Sequence, residues 1–181
     1  MKKLRVLSVL AVFVLIATSA MPVMAKGKGP ELKVTRVETS EQVRDLTVEK
    51  YMSQYPESAN LVAASACKGY TVTRTGYGGP PLNLVIWRYS WTIDWCYDGT
   101  KITSLSKYRT VYANIPWSFR GEVPGSETQS GGVGQASYMH YAQGDFCMLD
   151  VGGAVCITHS YPWVKQTVRG DGTYTGSAGG L

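Results

Sequence analysis

The sequence contains few of the residues from which catalytic and metal sites are usually built. It has two histidines, His140 and His159, among 181 residues. It has no G-x-S-x-G nucleophile elbow, no H-E-x-x-H zinc motif and no P-loop. Its four cysteines are separated by 28, 50 and 8 residues, whereas zinc sites typically use close C-x-x-C pairs. The sequence therefore predicts no catalytic residue, no metal and no cofactor.

A strongly basic surface is also missing from most of the chain. The sequence carries 18 Lys and Arg against 13 Asp and Glu. Lys2, Lys3 and Arg5 lie in the first 25 residues, which hold no acidic residue, so the remainder has a formal net charge of +2. Because no run of basic residues is left, we expect no nucleic-acid partner.

Residues 1–25 have the pattern of a secretory signal peptide. Three positive charges precede an apolar run over residues 6–20, and Val23 and Ala25 are the small residues that a signal peptidase reads. The run is shorter than the roughly 20 residues that cross a bilayer. We therefore predict cleavage after Ala25, a secreted protein, and no membrane span in the mature chain.

The four cysteines are predicted to form two disulfides, because an exported chain folds in an oxidising compartment. Three pairings are possible. We favour Cys67–Cys96 and Cys147–Cys156, because each pair lies within its own predicted hairpin region.

Residues 26–66 differ from the rest of the mature chain, since they are polar and contain no Trp and no Cys. Thr39 with Gln42 three residues later is typical of a helix start, and Pro56 ends the segment. We predict a helix near residues 40–54, with a pro-segment or a tether as the alternatives. Residues 67–175 are predicted to form a β domain, and residues 176–181 a flexible tail.

The strongest strand pattern covers residues 85–97. Val85, Trp87, Tyr89, Trp91, Ile93, Trp95 and Tyr97 occupy every second position, so they share one face of a strand. Short β-rich segments and Gly-rich turns recur throughout the domain. The fold is predicted to be mainly β, an antiparallel β-sandwich or small barrel with one N-terminal helix. The predicted strands cover residues 70–75, 85–97, 102–115, 117–123, 136–143, 146–151, 155–158 and 163–169, and residues 130–137 are read as a flexible turn.

The tryptophans decide whether a sugar-binding surface is expected. Trp87, Trp91 and Trp95 either form the core face of their strand or stack on sugar rings, and the polar opposite face favours the core. Trp117 and Trp163 lie next to prolines in less regular segments. They are the better candidates for exposed, ligand-binding aromatic residues.

Several segments in this order are similar to a set of small secreted bacterial proteins without an assigned function. The segments are W-x-I-D-W-C-Y-D-G-T-K-I-T, S-G-G-V-G-Q-A-S, Q-G-D-F-C and C-I-T-H-S-Y-P-W-V, which fall between Cys67 and Tyr174. The resemblance implies export and a compact, β-rich, Cys-containing domain. It implies no activity and no functional residue.

Three functions are compatible with these features. The first is an exported, non-catalytic module that binds an extracellular polysaccharide or cell-surface polymer. The second is a secreted inhibitor of an extracellular enzyme, presenting the ring closed by Cys147 and Cys156 as a constrained loop. The third is a small extracellular hydrolase, which requires His140 or His159 and a carboxylate to meet in one cleft.

Overall fold

The protein is a β-sandwich of two antiparallel sheets with one short helix, as the sequence predicted. The computed structural model describes residues 33–57, 66–81, 83–149 and 155–181. The predicted signal peptide, residues 1–25, lies outside the described residues. Sheet 1 has the strand order β1-β2-β3-β4, and sheet 2 the order β10-β9-β7-β5, with β6 and β8 also paired to β7.

Each sheet is built from strands that are consecutive in the chain, the first four in sheet 1 and the last six in sheet 2. Sheet 1 contains β1 (Val34–Leu46), β2 (Ala66–Gly78), β3 (Val85–Tyr97) and β4 (Ile102–Ala113), with helix α1 (Val48–Gln54) between the first two. Sheet 2 contains β5 (Trp117–Glu122), β6 (Thr128–Gly131), β7 (Ser137–Leu149), β8 (Cys156–Ser160), β9 (Trp163–Arg169) and β10 (Tyr174–Gly179).

The aromatic residues of β3 form the centre of the core, as their alternation predicted. Trp87, Tyr89 and Trp95 are fully buried and lie in one apolar cluster with Phe146 and Val164 of the opposite sheet. The ring of Trp87 stacks on Phe146, with centroids 5.4 Å apart. Each aromatic side chain removes a large apolar area from water, so this strand carries much of the hydrophobic stabilisation.

The predicted helix over residues 40–54 is wrong in its first half. Residues up to Leu46 belong to β1, which pairs with β2. Thr47, and not Thr39, is the N-cap, and its hydroxyl accepts a hydrogen bond from the Lys50 amide at 3.1 Å. The capping pattern at Thr39 did not start a helix, because residues 36–46 pair with β2, and the backbone groups on that side bond to a neighbouring strand instead.

The predicted flexible tail is also wrong, because most of it belongs to β10. This strand pairs with β9 from Tyr174 to Gly179. A side chain at Gly176 would place its Cβ only 2.0 Å from the hydroxyl of Tyr70 in the core. Glycine in this segment therefore allows a close approach of the backbone to the core rather than disorder.

One break predicted between two strands lies inside a strand, and a turn predicted near it connects β6 to β7 over residues 132–136. Residues 136–143 and 146–151 were predicted as separate strands, but β7 continues without a break from Ser137 to Leu149. Gly144 lies against the ring of Tyr89, which leaves no room for a side chain at this position. The segment 130–137, predicted as a flexible turn, contributes its first two residues to β6.

Both predicted disulfides are confirmed. Cys67 and Cys96 face each other on β2 and β3, and Cys147 of β7 is bonded to Cys156 of β8. Two disulfides are typical of an oxidising, extracellular environment. Among the described residues, no helix is long and apolar enough to cross a membrane.

Candidate functional site

The outward face of sheet 2 carries a row of large side chains along β8 and β9. Ser160 pairs with Phe146 and Trp163 pairs with Gln143, so the register with β7 is continuous from Thr158 to Trp163, and it shifts only before Thr158, between Met148 and Leu149. The amide of Gly144 also donates to the carbonyl of Pro162, at 2.8 Å. Side chains at every second position therefore share one face across the junction.

What we call the aromatic row consists of three successive outward positions, His159, Tyr161 and Trp163, and of the exposed Ile157, which lies at the register shift of β8. Ile157 is 61% exposed and Tyr161 40% exposed, while His159 is exposed and Trp163 half-buried. The row is about 20 Å long at the rise of a β-strand. Exposed apolar and aromatic groups in such a line are typical of an interaction surface.

Trp163 is held in place by a neighbouring ring and by a glycine. The ring of Tyr141 on β7 lies 5.9 Å from that of Trp163, with 34° between the planes. A Cβ on Gly179 of β10 would lie 2.5 Å from the indole atom Cζ2. The indole therefore rests against the bare backbone of β10, and a larger residue at position 179 would displace it.

His159 is oriented by a carboxylate and by a second ring. Its Nδ1 lies 2.6 Å from Oδ1 of Asp145, and its imidazole stacks on Tyr161 at 5.4 Å with 5° between the planes. Because an ionised carboxylate can only accept, Nδ1 donates the hydrogen bond. Nε2 is then the imidazole nitrogen that remains available to an additional partner.

Polar groups continue the surface on both sides of the aromatic row. The Gln143 amide donates to the carbonyl of Tyr161 at 3.1 Å, which fixes the backbone at the middle of the row. Beyond Trp163, the row leads to a shallow depression of about 300 Å³. It is lined by Lys165, Thr167, Thr175, Gly176 and Ser177.

The two tryptophans predicted to bind a ligand lie in different environments. Trp117 is only 5% exposed and belongs to the core cluster, so its prediction as an exposed aromatic residue is wrong. The reason is the alternation of β5, which directs Trp117 and Phe119 inward opposite Met148 and Phe146. Trp163 lies on the outward face, and its binding of a ligand stays a prediction.

Three members of the aromatic row were not predicted from the sequence, although a signal was present. In C-I-T-H-S-Y-P-W the four residues of the row occupy every second position, which is the period of a strand. Pro162 obscured this pattern, because a proline normally ends or bends a strand. Here its carbonyl still accepts from the neighbouring strand, so the alternation continues past it.

His140 lies inside the sandwich. Its Nε2 is 3.2 Å from Oε1 of Glu127, and its ring packs 4.4 Å from that of Trp91. Burial lowers the pKa of His140, and the nearby charge of Lys107 lowers it further. His140 is therefore a neutral, structural side chain in the folded protein at neutral pH.

Each histidine has a carboxylate partner, which is the first requirement of the predicted hydrolase. Within the described part of the chain, however, no serine or threonine hydroxyl is hydrogen-bonded to either imidazole. The carboxylate of Glu127 also pairs with Lys107, and that of Glu122 with Arg109. These two acidic residues thus neutralise basic residues of β4 along one side of the sandwich.

The ring predicted to inhibit an enzyme is the end of the β7–β8 hairpin. Cys147 and Cys156 join the two strands, and Leu149 pairs with Cys156. The tip of the ring, residues 150–154, lies outside the described residues. The inhibitory loop therefore stays a prediction.

Neither metal ligation nor similarity to known proteins identifies a function. Over the described ranges, no three His, Cys, Asp or Glu side chains lie close enough to hold a metal ion. No protein-family model matches the chain, and comparisons with curated proteins and with solved structures found none that is similar.

Proposed function

We propose that this chain is an exported, non-catalytic module that binds an extracellular polysaccharide through the aromatic row. The observation that carries the proposal is the placement of His159, Tyr161 and Trp163 at successive outward positions of one sheet. Core residues of a sandwich point inward, so rings on the outward face are not needed to fill the space between the two sheets.

The chemistry of the aromatic row suits a sugar polymer. The apolar faces of sugar rings pack on flat aromatic side chains, and a row on one strand contacts successive units of an extended chain. Trp163 and His159 are both held by neighbours, so little side-chain entropy is lost when they contact a ligand. Preorganised rings of this kind are common in binding sites.

Polar groups beside the rings supply the hydrogen bonds that a sugar requires. Nε2 of His159 is available as an acceptor, and the carboxylate of Asp145 has a second oxygen. Lys165 follows Trp163 on the same face. A ligand site that combines apolar contact with a few fixed polar groups achieves both affinity and orientation.

The test is retention on insoluble polysaccharides. Oxidised protein comprising residues 26–181 is incubated with cellulose, chitin, xylan and peptidoglycan, and the bound fraction is measured against protein concentration. We expect saturable binding to one of these polymers. Trp163→Ala and Tyr161→Ala should each weaken it roughly tenfold, as expected for loss of a central aromatic contact.

The matched control is Tyr108→Ala, which removes an exposed tyrosine from the opposite sheet. This variant should bind the polymer like the unmodified protein. Gly179→Ala is a second test, because its methyl group displaces the Trp163 ring without removing any aromatic residue. Binding that survives Trp163→Ala and Tyr161→Ala, or that is lost in Tyr108→Ala, contradicts the proposal.

A further inference from the structure

The outward face of sheet 1 is a surface of hydroxyl groups. The register of its strands aligns Ser40, Thr73, Ser90 and Thr110 in one row, and Gln42, Thr71, Thr92 and Tyr108 in the next. Neither row contains a charged residue. The hydroxyls of Thr71 and Thr92 are 2.8 Å apart, and those of Thr73 and Ser90 2.9 Å apart.

The central hydroxyl residues lie at the bottom of a groove. Thr75, Ser90 and Thr92 are buried although they point away from the core. At one end the groove has a volume of about 300 Å³. This end, which we call the hydroxyl groove, is lined by Glu38, Thr39, Ser40, Thr73, Thr75, Tyr77 and Arg88.

Arg88 provides the charge of the hydroxyl groove. It is exposed and has no hydrogen bond or ion pair with any residue that the structure describes. The nearby acidic residue, Glu38, already pairs with Arg36 and accepts a hydrogen bond from the hydroxyl of Tyr77 at 2.9 Å. The groove therefore has one positive charge that none of the described residues neutralises.

An exposed ring lies directly beside this charge. Tyr112 pairs with Arg88 across β3 and β4 and is 48% exposed. On the other side of Arg88, its partner on β2 is Thr75. Arg88 thus lies between the hydroxyl of Thr75 and the exposed ring of Tyr112 in one row of the sheet, and the hydroxyl residues of the next row lie beside it.

We infer that the hydroxyl groove binds an acidic saccharide, with the sugar carboxylate on Arg88. A guanidinium binds a carboxylate through two parallel hydrogen bonds, and serine and threonine hydroxyls both donate to and accept from sugar hydroxyls. Tyr112 provides a face for the sugar ring. This site goes beyond the proposed function and does not depend on it, because it lies on the other sheet.

The test is an NMR titration of the oxidised protein, residues 26–181, with sodium glucuronate, glucose and inorganic phosphate. We expect glucuronate to shift the Nε–H resonance of Arg88 and the amides of Thr73 and Thr75 in a saturable way at millimolar concentration. Glucose and phosphate should each bind at least tenfold more weakly than glucuronate, because glucose lacks the carboxylate that Arg88 binds and phosphate lacks the sugar ring and its hydroxyls.

Substitutions locate the site. Arg88→Gln should weaken glucuronate binding at least tenfold, Arg88→Lys should restore it only in part, and Tyr112→Ala should weaken it. The matched control is Arg120→Gln, which removes an exposed arginine from sheet 2 and should leave binding unchanged. The amide spectrum of each variant verifies that it is folded.

The inference is overturned if Arg88→Gln binds glucuronate as well as the unmodified protein does. It is also overturned if phosphate binds as tightly as glucuronate, since the groove then recognises only an anion. Trp163→Ala should bind glucuronate normally. The two proposals can therefore fail independently. The aromatic row is refuted by Trp163→Ala and Tyr161→Ala having no effect on polymer binding, and the hydroxyl groove by Arg88→Gln having no effect on glucuronate binding.

Discussion

The ion pair between Arg44 and Asp94 should be the polar contact on which stability depends most. The Asp94 side chain is 0% exposed and lies 2.8 and 2.9 Å from Nη2 of Arg44, whose own side chain is 42% exposed. The hydroxyl of Tyr55, just after α1, donates to the same carboxylate at 3.0 Å. The pair therefore connects β1 and α1 to the central strand β3.

The difference in burial predicts different effects for the two partners. Arg44→Met leaves a buried carboxylate without its cation, which costs about 3–5 kcal/mol of unfolding free energy. Asp94→Asn leaves a guanidinium that water can reach, so the loss is about 1.5–3 kcal/mol. Once Asp94 is neutral, removal of Arg44 has little further effect, so we expect a coupling energy close to the whole cost of Arg44→Met, about 3–5 kcal/mol.

Urea unfolding of the two single variants and the double variant measures this coupling. Gly69 offers an independent test, because it lies between the two residues in the row and its added Cβ would be 2.5 Å from both Arg44 Nε and Asp94 Oδ1. Gly69→Ala should therefore destabilise the protein as well. The reasoning is refuted if Arg44→Met costs no more than Asp94→Asn, or if the two effects simply add.

Three further predictions concern the core and the disulfides. Gln166 donates from sheet 2 to backbone carbonyls of sheet 1 at 3.0 and 3.1 Å, so Gln166→Leu should lower the unfolding free energy by about 1–3 kcal/mol in urea titrations. Burial lowers the pKa of His140 below its ordinary 6.5, so as the pH falls the unfolded chain takes up a proton before the folded protein does. The unfolding free energy should therefore be highest above pH 6.5 and decrease below it. In thermal melts, His140→Gln should reduce this pH dependence. Replacing Cys67 and Cys96 by Ala should destabilise by about 3–4 kcal/mol, given the length of the loop that they close; a melting temperature equal to that of the unmodified protein would contradict this estimate.

The sequence predicted those elements whose burial is strongly one-sided. The alternation in β3 identified the core face, because a central strand of a sandwich has one face that is almost entirely apolar. The disulfide pairing was predicted from the hairpin pattern, since Cys67 and Cys96 belong to neighbouring strands of one hairpin. These patterns are local and need no knowledge of distant contacts.

Features that depend on distant partners were not predictable. The capping pattern at Thr39 competes with pairing to β2, and only the tertiary structure decides between them. From the sequence alone, Gly176 indicates a flexible segment, whereas in the structure the hydroxyl of Tyr70 lies where its Cβ would be. Arg44 and Asp94 are 50 residues apart, and no local pattern joins them.

The candidate site was predicted in part, and the reason lies in its position on an outward face. Trp163 was singled out, but His159 and Tyr161 were not, because Pro162 obscured their alternation with it. Outward residues are not constrained by core packing, so their composition carries less structural information than that of the inward face. Trp117 was misplaced for a related reason, since a short strand of six residues gives a weak alternation signal.

The most direct test of the proposed function follows the indole Nε1–H resonance of Trp163 by NMR. The other four tryptophans, Trp87, Trp91, Trp95 and Trp117, are buried, so a ligand on the outward face of sheet 2 should leave their indole signals almost unchanged. The protein is titrated with cellohexaose, chitohexaose and xylohexaose. The proposal predicts that one of these oligosaccharides shifts the Trp163 signal in a saturable way. It is contradicted if an oligosaccharide binds without moving that signal, or if none of the three, and none of the insoluble polymers, binds at all.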